Sequence, residues 1–177
     1  MSGILEQLER ASKAKGDVSS LAITQKADLL LNIATSLKVN MEAIIAENQK
    51  DLDRMNPLDS KYDRLKLTEE RIQGLIESLH TVAQLPDPTG LLLSGKLLAN
   101  GLKIEKKTVA LGVVAVIYEA RPNVTVDVSA LCIQSGNACL LRGGSDAWFT
   151  NSFLVKLIRE ELAKGRLNED IVQLLPT

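Results

Sequence analysis

The second half of the sequence alternates short apolar strands with longer helical segments, and this alternation constrains the fold more than any other feature. A continuous apolar run, Val113–Tyr118, precedes a predicted helix over about 123–134 and a short strand over 138–141. A second helix opens at 143–145, and a last strand follows over 171–175. An uninterrupted apolar run is typical of a strand buried on both faces. The β-α-β-α-β order predicts a parallel sheet with crossover helices, and therefore an α/β fold.

The first half is predicted to be helical from residue 3 to residue 85. Apolar residues recur there at steps of three and four, as on one face of a helix: Ile23, Ala27, Leu30, Ala34 and Leu37. Asn40 and Thr68 are candidate N-caps, because both residue types accept a hydrogen bond from the first helical turn. The segment 86–90, with two prolines and a glycine, is predicted to end the helical region.

A hairpin is predicted between the helices and the sheet. Its strands would span 97–99 and 102–110, joined through Asn100-Gly101, a pair common in tight turns. Only three parallel strands follow, whereas a doubly wound nucleotide-binding fold has about six. We therefore expect the polypeptide to be a fragment or a truncated chain.

Charge and composition exclude several classes of function. Lysine and arginine number 21 against 22 acids, and aromatics make up 3%, so a nucleic-acid partner is not expected. No apolar stretch approaches the ~20 residues of a membrane helix. The N-terminus lacks the apolar segment of a secretory signal. Two cysteines and one histidine make a disulfide framework or a metal site improbable, and a reducing, cytoplasmic setting fits best.

Two turns are candidate binding loops, because ligands of open α/β sheets bind at the carboxyl ends of the strands. The first is 118–123. Its Asn123 is either an N-cap or a carboxamide donor for a developing oxyanion. The second is 142–146, where Gly143 and Gly144 allow close backbone approach and Arg142 can bind phosphate. On its own such a turn is a weak signal and is more often a plain strand-to-helix connection, and neither standard nucleotide fingerprint is present.

A nucleophile or catalytic base is not evident in the chain. Cys132 lies in the middle of a predicted helix and Cys139 in a predicted buried strand, so both are expected to be small core residues. His80, the single histidine, lies near the end of a predicted helix, where a cation favours the helix dipole.

Four segments resemble the gamma-glutamyl phosphate reductase family, also called glutamate-5-semialdehyde dehydrogenase, of the aldehyde dehydrogenase superfamily. They are GVVAVIYEARPNVTVD at 112–127, SGNA at 135–138, LRGGS at 141–145 and LANGLKI at 98–104. The resemblance implies N-terminal helices over 1–90 and a β-hairpin oligomerisation flap over 91–111. It also implies the first half of an NADP-binding, Rossmann-like domain over 112–177, truncated after its third strand.

The resemblance implies an oxidoreductase of proline biosynthesis in the cytoplasm. The full-length enzyme would use NADPH to convert L-glutamyl 5-phosphate to L-glutamate 5-semialdehyde and phosphate. A homo-oligomer is implied, and glutamate 5-kinase is a second candidate partner because some relatives carry it as a fused domain. The nucleophilic cysteine of the family lies beyond the position matching Thr177, so this chain alone is predicted to be inactive.

The resemblance also assigns site residues. Asn123 falls where the superfamily has its oxyanion asparagine, and Arg142 and Ser145 suit a 2′-phosphate, which favours NADP. The implied cofactor-binding residues are Tyr118, Glu119, Ala120, Arg121, Arg142, Gly143, Gly144 and Ser145. The alternatives are a non-catalytic nucleotide-binding module and a structural oligomerisation module. Trp148, three residues after Ser145, is expected to report NADP binding by its fluorescence.

Overall fold

The computed structural model describes residues 2–176, and the predicted boundaries at residues 1 and 177 lie outside them. The helices are α1 (Ser2–Ser19), α2 (Ile23–Val39), α3 (Met41–Leu52), α4 (Tyr62–Leu65), α5 (Glu69–Ala83), α6 (Pro122–Gln134) and α7 (Trp148–Lys164). The strands are β1 (Leu92–Leu97), β2 (Lys103–Lys107), β3 (Val113–Ile117), β4 (Ala138–Arg142) and β5 (Val172–Leu174). Short 3₁₀ turns at Ser145–Ala147 and Glu169–Ile171 precede α7 and β5.

Strands β3, β4 and β5 form a parallel sheet in that order, connected by α6 and α7. Val113 is paired with Ala138, and Cys139 with Val172. The predicted β-α-β-α-β arrangement is confirmed. The last strand is shorter than predicted, because a 3₁₀ turn takes up Glu169–Ile171.

Helices pack on both faces of the central strand β4. Cys139 and Leu141 of β4 point into the main core with α6 and α7, whereas Ala138 and Leu140 pack against Ala11 of α1. This alternation is the period of two that a strand imposes on its side chains. Helix α1 is also tied to β5, because the Gln7 side chain donates to the Leu174 carbonyl at 3.1 Å.

The prediction that β3 is buried on both faces is wrong. Val114 and Val116 pack against the main core, but Ala115 is exposed and Ile117 is 79% exposed. Within the described residues β3 pairs with β4 alone, and the α1 side covers only its beginning at Val113. The face of β3 on the α1 side is therefore exposed at Ala115 and Ile117.

The prediction of a helical N-terminal region is confirmed, and so is one of the two predicted N-caps. Thr68 caps α5, since its hydroxyl accepts from Arg71 N at 3.2 Å. Asn40 does not cap α3. Its side chain instead donates back to the Ser36 carbonyl at 2.9 Å, so it satisfies the end of α2.

No single helix among residues 2–176 is long and apolar enough to cross a bilayer. Helices α2 and α3 reach that length and composition only as a pair, and the chain bends by 71° between them. Ile33, Leu37 and Ile44 of this pair are buried in the main core.

The hairpin is present, but its predicted strand limits are wrong. β1 starts at Leu92, five residues before the predicted strand, and β2 ends at Lys107. Gly101 alone takes a positive φ, of 85°, while Asn100 accepts from Leu102 N at 3.1 Å. The five residues 98–102 thus connect the strands in place of the expected two-residue turn, and the longer β1 pairs along the whole of β2.

Candidate nucleotide hollow and catalytic cavity

The carboxyl ends of β3 and β4 lie side by side and form an open hollow of about 580 Å³. Tyr118 N donates to the Arg142 carbonyl at 3.0 Å, which continues the strand pairing to the edge of the sheet. The hollow is lined by Ile117, Tyr118, Arg142, Gly143, Gly144 and Ser145. Five of the eight residues predicted to bind the cofactor are therefore brought together.

Local packing requires glycine at only one of the two glycine positions of this hollow. A Cβ on Gly143 would overlap the amide nitrogen of Asn151 and lie 3.2 Å from the Tyr118 ring. A Cβ on Gly144 would lie 3.5 Å from the Glu119 backbone, an ordinary contact distance. Close packing thus accounts for Gly143, whereas no clash in the described residues requires glycine at Gly144.

Tyr118 presents its ring to the hollow and its hydroxyl to the interior. The hydroxyl is 2.5 Å from the Thr125 hydroxyl, which in turn donates to Asn151 Oδ1 at 2.8 Å. Burial raises the pKa of Tyr118 to about 12, although the hydrogen bond with Thr125 acts in the opposite direction. Tyr118 is therefore a neutral wall of the hollow at physiological pH.

The loop that carries Ser145 is held by Arg54, two residues after the end of α3. Arg54 donates to the Ser145 carbonyl at 3.0 Å and to Asp51 at 2.9 Å, and its guanidinium stacks 4.8 Å from the Phe149 ring centre. Sequence reasoning missed Asp51 and Arg54, because some 90 residues separate them from the loop. The local signal for this contact was the spacing of three residues between Asp51 and Arg54, which brings opposite charges together at the end of a helix.

Arg142 and Ser145 bring a cation and a hydroxyl to the wall of the hollow. Among the arginines of residues 2–176, the ion pairs engage Arg10, Arg54, Arg71 and Arg159 but not Arg142. The Arg142 side chain is exposed. The Ser145 side chain is also exposed. A guanidinium and a hydroxyl are both able to hydrogen-bond a phosphate group.

Asn123 and Arg121 belong to a different cavity, of about 480 Å³, between the segment 63–67, α5 and α6. Arg121 is the N-cap residue of α6 and Pro122 its first helical residue, so the N-cap interpretation of Asn123 is wrong. Proline is preferred at that first position, which shifts the helix start by one residue. Asn123 instead donates to Asp127 Oδ2 at 3.4 Å, one turn further along α6.

Glu119 and Ala120, the remaining predicted residues of the first turn, line neither of these two cavities. Glu119 is exposed, and its carbonyl accepts from Arg121 N at 2.9 Å. Ala120 is buried in a small cluster with Leu52, Leu65 and Ala147. The assignment of Glu119, Ala120 and Arg121 to the cofactor stays a prediction.

Both cysteines are buried, with exposed fractions of 6% for Cys132 and 0% for Cys139. The adjacent Cys132 and burial raise the pKa of the Cys139 thiol above its usual range. An activated thiolate requires partial exposure and a positive environment. The prediction that both are core residues is confirmed.

Trp148 does not line the hollow. It begins α7 and lines a separate depression with Gln7 and Arg10, on the side of α1. Its fluorescence is therefore a poor reporter of a ligand bound at Arg142.

A scan against protein-family models finds no match. The chain is 47% identical over 174 residues to a gamma-glutamyl phosphate reductase of Chlorobium phaeobacteroides, an alignment covering 98% of this chain and 42% of that protein. It matches the crystal structure of the Thermotoga maritima gamma-glutamyl phosphate reductase with a TM-score of 0.92 and 33% identity, over 97% of this chain and 42% of that one.

A more distant structural match shows the fold alone. A glyceraldehyde-3-phosphate dehydrogenase of Methanocaldococcus jannaschii, crystallised with NADP, has a TM-score of 0.68 and 20% identity over 98% of this chain and 36% of its own. The α/β fold is thus that of the aldehyde dehydrogenases. The chain is related along nearly all of its length to the gamma-glutamyl phosphate reductases, and it spans about 42% of theirs.

Proposed function

We propose that the chain is the N-terminal part of an NADPH-dependent reductase that converts L-glutamyl 5-phosphate to L-glutamate 5-semialdehyde and phosphate. The reaction belongs to proline biosynthesis, and the enzyme would work in the cytoplasm. The named relatives support the reaction class, since they match 98% of the chain.

The observation that carries the proposal is the pair of sites at one edge of the sheet. The hollow at Arg142 and Ser145 follows β4, and the cavity at Asn123 opens where the turn after β3 enters α6. A reductase has to bind a nucleotide and an acyl substrate side by side. These neighbouring turns provide a place for each.

The residues present suit distinct tasks. Arg142 and Ser145 would hold the 2′-phosphate of the cofactor, which supplies a hydride when bound. The Asn123 carboxamide has two N–H donors, of which one goes to Asp127, so the other is free for the oxygen of the acyl group. A donor aimed at a developing oxyanion lowers the barrier to attack on the carbonyl.

The nucleophile is not among these residues. Because Cys132 and Cys139 are both buried, we expect no NADPH-dependent turnover from this chain alone. Reduction of an acyl phosphate by pure chain, followed as loss of NADPH absorbance, would refute this expectation.

The exposed hairpin favours a homo-oligomer. Large apolar side chains along it lie in solvent, with exposed fractions of 49% to 72%: Leu91, Leu92, Leu93, Leu97, Leu102 and Ile104. Such a surface exceeds the scattered apolar residues usual on a monomer. The alternative function, an oligomerisation module without nucleotide binding, would use this surface and leave Arg142 idle.

Titration with NADP⁺ and NAD⁺, followed by the amide NMR signals of residues 143–145, separates these functions. We expect NADP⁺ to bind about tenfold more tightly than NAD⁺, and Arg142→Ala to remove that preference. Arg166→Ala, in the exposed loop after α7, is the matched control and should change neither affinity. Equal binding of the two nucleotides would contradict the 2′-phosphate assignment, and no binding would favour the oligomerisation module.

A further inference from the structure

The cavity at Asn123 is large enough for a small amino acid and carries both signs of charge. Its volume of about 480 Å³ lies within the range of ligand pockets. Leu67 and Leu75 form apolar parts of its wall, and acidic and basic side chains line the rest. A zwitterionic ligand with an aliphatic stem would match that mixture.

Asp127 is held in place at this cavity. Its Oδ1 accepts from the Ser78 hydroxyl of α5 at 3.0 Å, and its Oδ2 accepts from Asn123 at 3.4 Å. The carboxylate is half-buried, and two carboxylate oxygens offer about four acceptor positions. Asp127 therefore retains capacity for an ammonium group while its orientation is fixed by two helices.

The second acid of the cavity is already engaged. Asp63 receives the Arg71 guanidinium, with both of its oxygens 3.0 Å from the same nitrogen, so this pair is neutral as a unit. No carboxylate of residues 2–176 forms an ion pair with the remaining cations on the cavity wall, Arg64, Lys66 and Arg121. The uncommitted charges are thus one carboxylate and three cations, which suits a ligand with one ammonium and several negative charges.

We propose that this cavity binds the amino-acid end of the substrate, with Asp127 receiving the α-ammonium and Arg121 the α-carboxylate. The assignment rests on the proposed function, which places the reacting carbonyl at Asn123. Two methylene groups separate that carbonyl from the α-carbon of a glutamyl group, and Asn123 and Asp127 are in direct contact. The planar guanidinium of Arg121 matches a carboxylate in two-point fashion.

A purely structural role for Asp127 makes a different prediction. If Asp127 only orients Asn123, its loss would weaken every acyl ligand to the same extent. If Asp127 binds the ammonium, its loss would weaken only ligands that carry one. Ligands that differ by a single charged group distinguish the two roles.

The test titrates this chain with L-glutamate, glutarate and 4-aminobutyrate, following the amide NMR signals of 74–78 and 121–127. Glutarate lacks the ammonium and 4-aminobutyrate lacks the α-carboxylate. We expect L-glutamate to bind about tenfold more tightly than either. Asp127→Asn should lower its affinity to that of glutarate without changing glutarate binding, and Arg121→Gln should remove its advantage over 4-aminobutyrate. Glu77→Gln, next to Ser78 but outside the cavity, is the control and should bind as the unmodified chain does.

Three results would overturn the proposal. They are equal affinities for L-glutamate and glutarate, a loss in Asp127→Asn shared by all three ligands, and no L-glutamate response at 74–78 and 121–127. The NADP⁺ response at 143–145, measured in the same samples, separates this outcome from failure of the proposed function. A retained nucleotide response with no glutamate response refutes the amino-acid site alone.

Discussion

Asp51 at the end of α3 caps the first turn of α7 through Thr150, 99 residues further along the chain. Its Oδ2 accepts from Thr150 N at 2.8 Å and from the Thr150 hydroxyl at 2.6 Å, and its Oδ1 accepts from Phe149 N at 3.2 Å. The side chain of Asp51 is fully buried. A carboxylate borrowed from another helix thus satisfies amide groups that α7 leaves free at its start.

Asp51→Ala is expected to lower the free energy of unfolding by about 3 kcal/mol, because buried donors lose a charged acceptor. Urea denaturation measures the change. Asp53→Ala, two residues further on and at the surface, should change the free energy of unfolding by no more than about 0.5 kcal/mol. Equal effects of the two variants would show that the cap on α7 contributes nothing.

The first glycine of the hollow is expected to tolerate substitution less well than the second. Gly143→Ala forces a Cβ against Asn151 and should cost about 2 kcal/mol of unfolding free energy through overpacking. Gly144→Ala meets only ordinary contacts and should preserve stability. Thermal unfolding of the pair provides the comparison, and a larger loss in Gly144→Ala would contradict the packing seen here.

The ion pair between Lys26 and Asp87 predicts an acid-sensitive stability. Lys26 is 1% exposed, and its Nζ lies 2.6 Å from Asp87 Oδ2. Partial burial raises the pKa of Asp87, but the hydrogen bonds from Lys26 and Thr89 outweigh it and hold that pKa below its ordinary value. A carboxyl with a lowered folded-state pKa contributes stability above its unfolded pKa and loses it as the pH falls through the folded value.

We therefore expect the unfolding free energy to fall from about pH 5 downward, partly through protonation of Asp87. Lys26→Met should flatten this part of the profile and cost about 3 kcal/mol at neutral pH, since a buried partner is removed. Lys38→Met, an exposed lysine of the same helix, is the control. An unchanged acid profile in Lys26→Met would refute the contribution of the pair.

Self-association should depend on the hairpin. The double variant Leu97→Ser/Ile104→Ser is expected to weaken it at least about tenfold while changing monomer stability by no more than about 0.5 kcal/mol. Sedimentation equilibrium measures the association constant. Leu58→Ser removes a still more exposed leucine outside the hairpin and should leave association intact. A chain that is monomeric throughout would contradict the proposed oligomer surface.

Periodicity predicted the elements that depend on local sequence, and it missed those that depend on distant contacts. The buried face of α2, with Leu30, Ala34 and Leu37, and the succession of strands and helices after residue 112 follow from spacing alone. The burial of β3 does not, because it depends on which other segments reach Ile117. Asn123 belongs to the predicted helix but is not its N-cap, because the helix begins one residue earlier at Pro122.

The candidate sites show the same division. The turn at 142–145 was predicted from glycine and arginine at the end of a strand. The cavity of Asp127 was not, because Ser78 and Arg64 come from segments 49 or more residues away. A carboxylate four residues after Asn123 on a helix was a usable signal, since that spacing places both on one face.

The base of the hairpin, where residues 90 and 91 pair with Thr108, determines which part of the hairpin can be replaced. Gly90 N donates to the Thr108 carbonyl, Thr108 N donates to the Leu91 carbonyl, and Lys26 holds the adjoining Asp87 against α2. Beyond these contacts, strands β1 and β2 are exposed to solvent on both faces. Changes in the length or side chains of residues 92–107 should therefore leave the packing of the core unchanged. A different hairpin tip could be inserted between residues 92 and 107 to alter which surfaces the molecule recognises. The contacts at the base of the hairpin and the packing of the helices would maintain the stability of the fold.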